Sequence, residues 1–258
     1  MNAPRASALD LTPAAVAVPR GLRVWRHALM ELRLLARNGE QLLLALAIPL
    51  GLIVAHAAVG PGLGIATEPF VASVIALGVW STGFTSLAIL TGFERRYGVL
   101  ERLVGSPLRR VDLLLGKALG IGLVAVAQAA VLTLAGLAAG WRPRPDPAQT
   151  LIVAVVVPVA LLAFSALGLA LAGSASAELT LGLSNLVYLL GAAGGLLLPV
   201  AAFPGWAQPW LAGLPTAALA ESLRHWATGG VDPWPALVVS LWAVGALVLA
   251  RKVFRWTY

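Results

Sequence analysis

Residues 151–173, LIVAVVVPVALLAFSALGLALAG, form an uninterrupted apolar stretch without a single charged side chain. At 1.5 Å per residue, a helix of this length covers about 35 Å, more than the roughly 30 Å of hydrocarbon in a bilayer. A proline within such a helix is tolerated because neighbouring helices can satisfy the carbonyl group that it frees. The stretch therefore predicts a transmembrane helix.

The rest of the chain repeats this pattern. Of its 258 residues, 59% are hydrophobic and only 11% are charged, and the mean hydropathy is +0.88. A soluble domain has about 25% charged residues and could not bury so much apolar surface. We therefore predict an all-α integral membrane protein with six transmembrane helices, at residues 41–59, 70–93, 118–139, 151–173, 179–203 and 234–250.

The segment before the first span is amphipathic. Residues 1–19, rich in Ala and Pro, are expected to form a flexible tail, and the transmembrane domain is expected to cover residues 20–258. Within 20–37, a period of about 100° per residue separates two faces. The apolar face is Leu22, Trp25, Ala28, Leu29, Leu32, Leu35 and Ala36, and the basic face is Arg23, Arg26, His27, Arg33 and Arg37. This pattern predicts an interfacial helix on the lipid bilayer.

The distribution of Lys and Arg predicts the orientation. Fifteen of these residues flank the N-terminus, the connection between the second and third spans, and the C-terminus, against three on the other side. The positive-inside rule places both termini in the cytoplasm. The outer loop 204–233 contains Trp206, Trp210 and Trp226, which are typical interfacial anchors, so we expect it to re-enter the membrane surface. Within that loop, Glu221 and Arg224 are expected to form a local pair.

The connection after the second span has helical spacing of its own. Over residues 94–104, Tyr97, Val99, Leu100, Leu103 and Val104 share one face, while Glu94, Arg95, Gly98, Glu101 and Arg102 share the other. Arg96 intrudes on the apolar side, and Ser106-Pro107 is expected to end the helix. A short amphipathic helix can dock into a groove on a cytoplasmic partner. The alternative is a solvated loop that only obeys the positive-inside rule.

These residues resemble a known family. Glu94-Arg95-Arg96-Tyr97-Gly98-Val99-Leu100-Glu101-Arg102-Leu103, Ser106-Pro107-Leu108-Arg109 and Leu114-Leu115-Gly116-Lys117 are similar to the signature of ABC-2 type exporter membrane subunits, which include daunorubicin-resistance-type and nodulation-type permeases. Val99 stands where Thr is common in that family. Residues 204–211 and 214–224 also resemble the family's last outer loop, although the usual Ser-Gly before its proline is missing.

The resemblance implies a partner and a partner site. In that family, the segment around residues 94–104 is the coupling helix that contacts a nucleotide-binding subunit. Carried over, the partner-binding residues are Glu94, Arg95, Arg96, Tyr97, Gly98, Val99, Leu100, Glu101, Arg102, Leu103 and Pro107. The resemblance further implies two P-loop ATPase subunits per complex, and a second copy of this chain or a related permease.

The chain itself lacks an ATPase motif. Gly116-Lys117-Ala118 has neither the upstream glycine nor the hydroxyl of a P-loop, so ATP and Mg²⁺ are expected on the partner, and no cofactor on this chain. The chain is therefore expected to be a transport subunit rather than an enzyme. There is no cysteine, and the three histidines are far apart in sequence, so we predict no metal site. Nucleic-acid binding is not expected, because the basic residues flank apolar spans.

Polar residues within the spans are the candidates for a substrate path: Ser81, Thr82, Thr85, Gln128, Asn185 and Tyr188. The leading hypothesis is an exporter of a hydrophobic drug, lipid or lipid-linked glycan in a bacterial-type plasma (inner) membrane. One alternative is an ion-coupled secondary transporter, which would need a charged residue inside a span. Another is an integral membrane lipid-modifying enzyme, which would need clustered acidic or histidine residues.

Overall fold

The computed structural model describes residues 18–37, 39–104 and 109–255. The predicted tail and Pro107 therefore lie outside the described residues, apart from the last two tail positions. Eleven α-helices are described: α1 (Arg20–Arg37), α2 (Gly39–Val59), α3 (Thr67–Trp80), α4 (Leu87–Arg96), α5 (Val99–Val104), α6 (Arg110–Ala138), α7 (Pro147–Ser174), α8 (Ala177–Gly191), α9 (Gln208–Ala212), α10 (Pro215–Thr228) and α11 (Trp234–Val253).

The predicted all-α membrane fold is confirmed. Five segments of the described chain are long and apolar enough to cross a bilayer: Thr67–Arg96, Val111–Ala138, Pro147–Ser174, Ala177–Leu196 and Trp234–Val253. The first predicted span falls on α2, whose apolar part, Ala45–Val59, is shorter. Charge-free stretches located these helices well because a helix in lipid must satisfy its backbone internally and cannot expose charge.

The connections that are rich in Lys and Arg meet at one end of the bundle. Arg95, at the end of α4, donates to the carbonyl of Gly173 at the end of α7, and the backbone N–H of Arg255 donates to the same carbonyl. α1 and the start of α6 lie at this end too, because Arg20 of α1 pairs with Asp112 of α6. We call this the basic end, and the other the opposite end. By the positive-inside rule, the basic end faces the cytoplasm.

The centre of the bundle is the second span, α3 and α4 joined by a π-helical turn, Ser81–Ser86. Every residue from Val71 to Trp80 is buried. Trp80 stacks on Phe84 with ring centroids 4.5 Å apart and meets the edge of Phe164 of α7 at 4.7 Å. Because this span is enclosed by protein on all sides, its apolar pattern has no lipid-facing stripe from which a face could be predicted.

The fifth predicted span, 179–203, is wrong at its C-terminal end. α8 ends at Gly191, and the π-helical turn Ala192–Leu196 that follows contains two residues with non-helical backbone angles, Gly194 and Gly195. Gly195 has a φ of +93°, which glycine adopts without steric cost. Beyond the break, Val200–Ala202 forms a single 3₁₀ turn. The hydropathy pattern extended the predicted span to residue 203, because every residue from 189 to 203 is apolar, glycine or proline.

The outer loop 204–233 contains a buried helix. α10 packs against α3, α7 and α11, and its residues from Pro215 to Ala220 are all buried. Gln149 of α7 donates to the carbonyl of Ser222 at 2.9 Å, and Trp242 of α11 donates to the carbonyl of Gly213 at 2.8 Å. The loop therefore folds back into the opposite end of the bundle, as a re-entrant segment would.

α1 packs along the first turns of α6 and buries a different face from the predicted one. Its buried side chains are those of Val24, His27, Ala28, Glu31 and Leu35. His27, which was predicted to lie on the basic face, is buried instead. The reason is that α1 has three surfaces: one against α6, an exposed apolar one and an exposed basic one. Its placement on the membrane surface remains a prediction.

Candidate functional site

The predicted coupling helix 94–104 is broken in two. α4 ends at Arg96, and α5 begins at Val99. Gly98 between them has a φ of +67°, a left-handed conformation that glycine tolerates and that terminates a helix. The prediction of one continuous amphipathic helix was therefore wrong, because its pattern of faces spans a turn at which the chain changes direction.

Three of the predicted partner-binding residues make contacts within the chain itself. Glu94 forms an ion pair with Lys117 of α6. Arg95 is buried and donates to the carbonyls of Gly173, at 2.6 Å, and Ala175, which satisfies groups left open at the end of α7. Arg96 is partly exposed and pairs with Glu178 at the start of α8. These side chains anchor α4 to its neighbours.

The remainder of the segment presents a mixed surface. Leu100 is buried, with 1% of its surface exposed, so the apolar face of α5 packs on this chain rather than standing free. Val99 and Leu103 are half-buried, whereas Tyr97 is 65% exposed. Glu101 and Arg102 are exposed as well. The surface open to another protein is therefore formed by Tyr97, Glu101 and Arg102.

A buried charge cluster lies behind this segment. The Nζ atom of Lys117 donates to the Oε1 atom of Glu31 of α1 at 2.8 Å and also pairs with Glu94 of α4. Lys117 and Glu31 are each only 2% exposed. The Nε2 atom of His27 lies 3.4 Å from the Glu31 carboxylate. We call Glu31, Glu94 and Lys117 the Lys117 cluster.

The Lys117 cluster was not predicted from the sequence, because Lys117 was counted only as a basic residue that flanks the third span. Two signals were present. Glu31 is an acidic residue in a helix with a basic face, and Gly116 and Gly120 are spaced so that another helix can approach closely. A Cβ atom at Gly120 would lie 2.8 Å from the Cβ atom of Glu31.

Burial lowers the pKa of His27 and Lys117 lowers it further, although the Glu31 carboxylate opposes both effects. The imidazole is therefore neutral near pH 7. The Lys117 cluster contains two acidic side chains and one basic side chain.

Two of the predicted substrate-path residues, Thr82 and Gln128, contact each other. Thr82 and Gln128 are buried, and Thr82 donates its hydroxyl to the Gln128 side-chain carbonyl. The Nε2 atom of Gln128 donates to the carbonyl of Ala45 of α2 at 2.9 Å. Gln128 thus joins α6 to the π-helical turn and to α2.

The other candidates differ in exposure. Thr85 is buried, and its hydroxyl has no hydrogen-bond partner among the described residues. Ser81 and Tyr188 are half-buried. Asn185 is exposed on α8, beside exposed Leu186.

A second buried cation holds the opposite end together. Arg224 of α10, 4% exposed, donates to the carbonyls of Gly195 and Leu196 at 2.8 and 2.9 Å and to the Ser73 hydroxyl at 2.7 Å. The predicted pair with Glu221 is confirmed, at 2.9 Å. Burial alone would raise the pKa of Glu221, but the hydrogen bonds and charge of Arg224 hold it below its usual value.

An apolar cavity of about 690 Å³ adjoins this end. It lies between the start of α3 and the broken end of α8, and Pro69, Phe70, Ser73, Leu189, Leu197 and Pro199 are among the residues that line it. Ser73 links the cavity wall to Arg224. The break in α8 therefore shapes the cavity.

The comparison with protein families agrees with this architecture. A family model described as "ABC-2 family transporter protein" matches residues 64–250, most of the chain. The chain belongs to the ABC-2 family of transporter proteins. It is accordingly a multi-pass membrane protein, and in bacteria such a protein resides in the plasma membrane.

Two curated relatives are similar to this chain. They are the probable doxorubicin resistance ABC transporter permease proteins DrrC of Mycobacterium tuberculosis, from strain CDC 1551 / Oshkosh and from strain ATCC 25618 / H37Rv. Each is 26% identical over 177 residues, which make up 68% of this chain and 64% of the relative.

The ABC-2 family match covers only part of the Lys117 cluster. The match begins at residue 64 and so includes Glu94 and Lys117. It does not include α1, which supplies Glu31. The cluster therefore joins the matched region to a helix that precedes it.

Proposed function

We propose that this chain is the membrane-spanning permease subunit of an ABC exporter, driven by two separate P-loop ATPase subunits that bind ATP and Mg²⁺. The observation that carries the proposal is the arrangement at the basic end. α4 is anchored on three sides, by Lys117, by the end of α7 and by Glu178, while the tip that follows it exposes Tyr97, Glu101 and Arg102. An exposed tip on a fixed base is suited to transmitting force from a bound protein.

A second copy of this chain, or a related permease, is proposed to meet the exposed face of α8. No described residue hydrogen-bonds the Asn185 amide, and it stands beside exposed Leu186, Leu189 and Leu190. A polar side chain facing hydrocarbon is stabilised when it pairs across a helix interface. The proposed cargo path runs between the two copies, with Asn185 and Tyr188 on its wall.

The proposed cargo is hydrophobic: a drug, a lipid or a lipid-linked glycan moved outward. The apolar lining of the cavity beside α8 supports this class, and its volume is within the range of small-molecule sites. The relatives' names make doxorubicin the first compound to test. Stimulation of ATP hydrolysis by doxorubicin in proteoliposomes that contain the assembled complex would identify it as a cargo.

The docking surface is tested by co-purification. A tagged chain is isolated from membranes of its native host, and bound P-loop ATPase is quantified by mass spectrometry. We expect the double variant Glu101→Arg/Arg102→Glu, combined with Tyr97→Ala, to lose about nine-tenths of the bound ATPase, as expected when central interface contacts are removed. Lys252→Glu is the control, because Lys252 is an exposed basic residue at the same end.

Full ATPase binding by the triple variant would refute the docking assignment. Absence of any P-loop ATPase from the wild-type preparation would count against the permease itself. Charge at Leu100 is not a suitable test, because Leu100 is buried and a charged residue there would disturb the fold of α5.

A further inference from the structure

Lys117 is shared by carboxylates from two other parts of the chain. Its ammonium contacts Glu31 of α1 at 2.8 Å and Glu94 of α4, while Lys117 itself belongs to α6. The side chains of Lys117 and Glu31 are 1% and 3% exposed, and that of Glu94 is 12% exposed. Three separate helices therefore meet at one ammonium group, directly behind the exposed tip at Tyr97–Arg102.

The backbone beside Lys117 is built for this contact. A Cβ atom at Gly116 would lie 2.2 Å from the His27 ring, and one at Gly120 would lie 3.0 Å from the carbonyl of Ala28. The two glycines thus let α1 approach α6 closely. A second ion pair, Arg20 to Asp112 at 2.6 Å, fixes the other end of the same contact.

Stability alone does not account for the arrangement. Burying an ion pair costs desolvation energy, and apolar side chains of similar volume often stabilise a fold equally well. An ion cluster differs from apolar packing in that it specifies one relative position of the helices. If one member is removed, like charges are left buried together. Without Lys117, the carboxylates of Glu31 and Glu94 would repel each other, and one of them would have to take up a proton to stay in place.

We propose that Lys117 is a positioning residue that makes α1, α4 and the start of α6 move as one body when the tip at Tyr97–Arg102 is displaced. This inference rests on the proposed function, because the displacement is supplied by the ATPase. Its consequence is that α1 takes part in energy transmission.

The first test uses a neutral cluster. Lys117→Met alone leaves two buried carboxylates unpaired and is expected to lower the amount of folded protein. The triple variant Lys117→Met/Glu31→Gln/Glu94→Gln removes all three charges and is expected to fold and to bind the ATPase like the wild type. Its cargo transported per ATP hydrolysed is expected to fall about tenfold, within the range by which residues that link two sites change their coupling. Lys252→Met is the control.

A triple variant that transports with the wild-type ratio would overturn the proposal, because the charges would then only balance one another. Loss of ATPase binding in the triple variant would also overturn it, since the cluster would then shape the docking surface instead of transmitting its motion.

The second test does not depend on a variant of the cluster. The chain contains no cysteine, so cysteines can be introduced in pairs for spin labels at exposed positions, Arg26 of α1 with Arg96 of α4 and Arg96 with Lys252 of α11. In the assembled complex, the distance between labels at 26 and 96 is expected to stay constant between the nucleotide-free and ATP-trapped states, while the distance from 96 to 252 changes. A change in the first distance as large as in the second refutes the rigid connection. If neither distance changes, ATP does not displace α4 relative to α11, and the proposal fails at its premise, the displacement of the tip.

Discussion

Two buried cations, Lys117 and Arg224, hold the opposite ends of this bundle in different ways. Lys117 pairs with carboxylates from two other helices, so its contacts join side chain to side chain. Arg224 donates two hydrogen bonds to backbone carbonyls at the break after α8, one to the Ser73 hydroxyl and two to a single carboxylate, Glu221, on its own helix. A compact ammonium suits a shared charge, whereas the planar guanidinium with its five donors suits several fixed acceptors. The basic end is thus fastened between helices, and the opposite end is fastened at one irregular stretch of backbone.

The largest expected effect is that of Arg224→Met. This variant would leave the carbonyls of Gly195 and Leu196 without the donor that Arg224 supplies and Glu221 without its cationic partner, at a cost of about 3–5 kcal/mol. Thermal unfolding in detergent, followed by Trp fluorescence, measures it. Arg142→Met is the matched control, because Arg142 is exposed and donates only to the nearby carbonyls of Leu137 and Trp141. Equal unfolding of both variants would mean that Arg224 does not hold the break.

The second prediction tests whether the type of contact, rather than the end of the bundle at which it lies, determines the loss of stability. Arg95 lies at the basic end but donates to the backbone carbonyls of Gly173 and Ala175, as Arg224 does at the other end. We expect Arg95→Gln to destabilise the fold by about 2–3 kcal/mol, because a buried charged hydrogen bond to the end of α7 is lost.

The matched variant is Arg96→Gln, one residue away, whose pair with Glu178 is exposed and should contribute less than about 1 kcal/mol. The same unfolding measurement applies to both. If Arg96→Gln is the more damaging of the two, the distinction between buried backbone contacts and exposed ion pairs does not hold here.

The smallest expected effect concerns the approach of α1 to α6. Gly120→Ala places a Cβ atom 2.8 Å from that of Glu31 and should cost about 1–3 kcal/mol through overpacking. Gly122→Ala is the control on the same helix, since a Cβ atom there meets nothing within 4 Å. Limited proteolysis after α1, together with the unfolding midpoint, measures the difference. An identical result for the two alanine variants would show that α1 is not closely packed.

The sequence was sufficient to predict the helices but not the positions at which they are interrupted. Uncharged stretches located the spans because lipid excludes charge and unpaired backbone groups. The π-helical turn at Ser81–Ser86 and the break at Gly195 have hydrogen-bond partners that lie far away in sequence, Gln128 and Arg224. None of these partners could be chosen from local pattern alone.

The location of residues 94–104 at the basic end was predicted from the sequence, but their contacts within the chain were not. Residues 94–104 do lie at the basic end, yet Glu94 and Arg95 point into the chain, and Leu100 is buried. Helical periodicity identifies an apolar face without showing whether that face meets the same chain or another one. The pair Glu221 and Arg224 was predicted from its i,i+3 spacing, whereas the bonds of Arg224 to Ser73 and Gly195 were beyond the reach of that rule.

The fit between Glu31 and the glycine-lined groove of α6 restricts how this protein can be recombined with its relatives. A chimera that takes its first helix from another transporter must bring an acidic side chain to the position of Glu31, and a backbone that can lie against Gly116 and Gly120. Without both, Lys117 would lose one of its two carboxylates inside the protein. The first helix and the third span therefore form one unit of exchange, although 72 residues separate them along the chain.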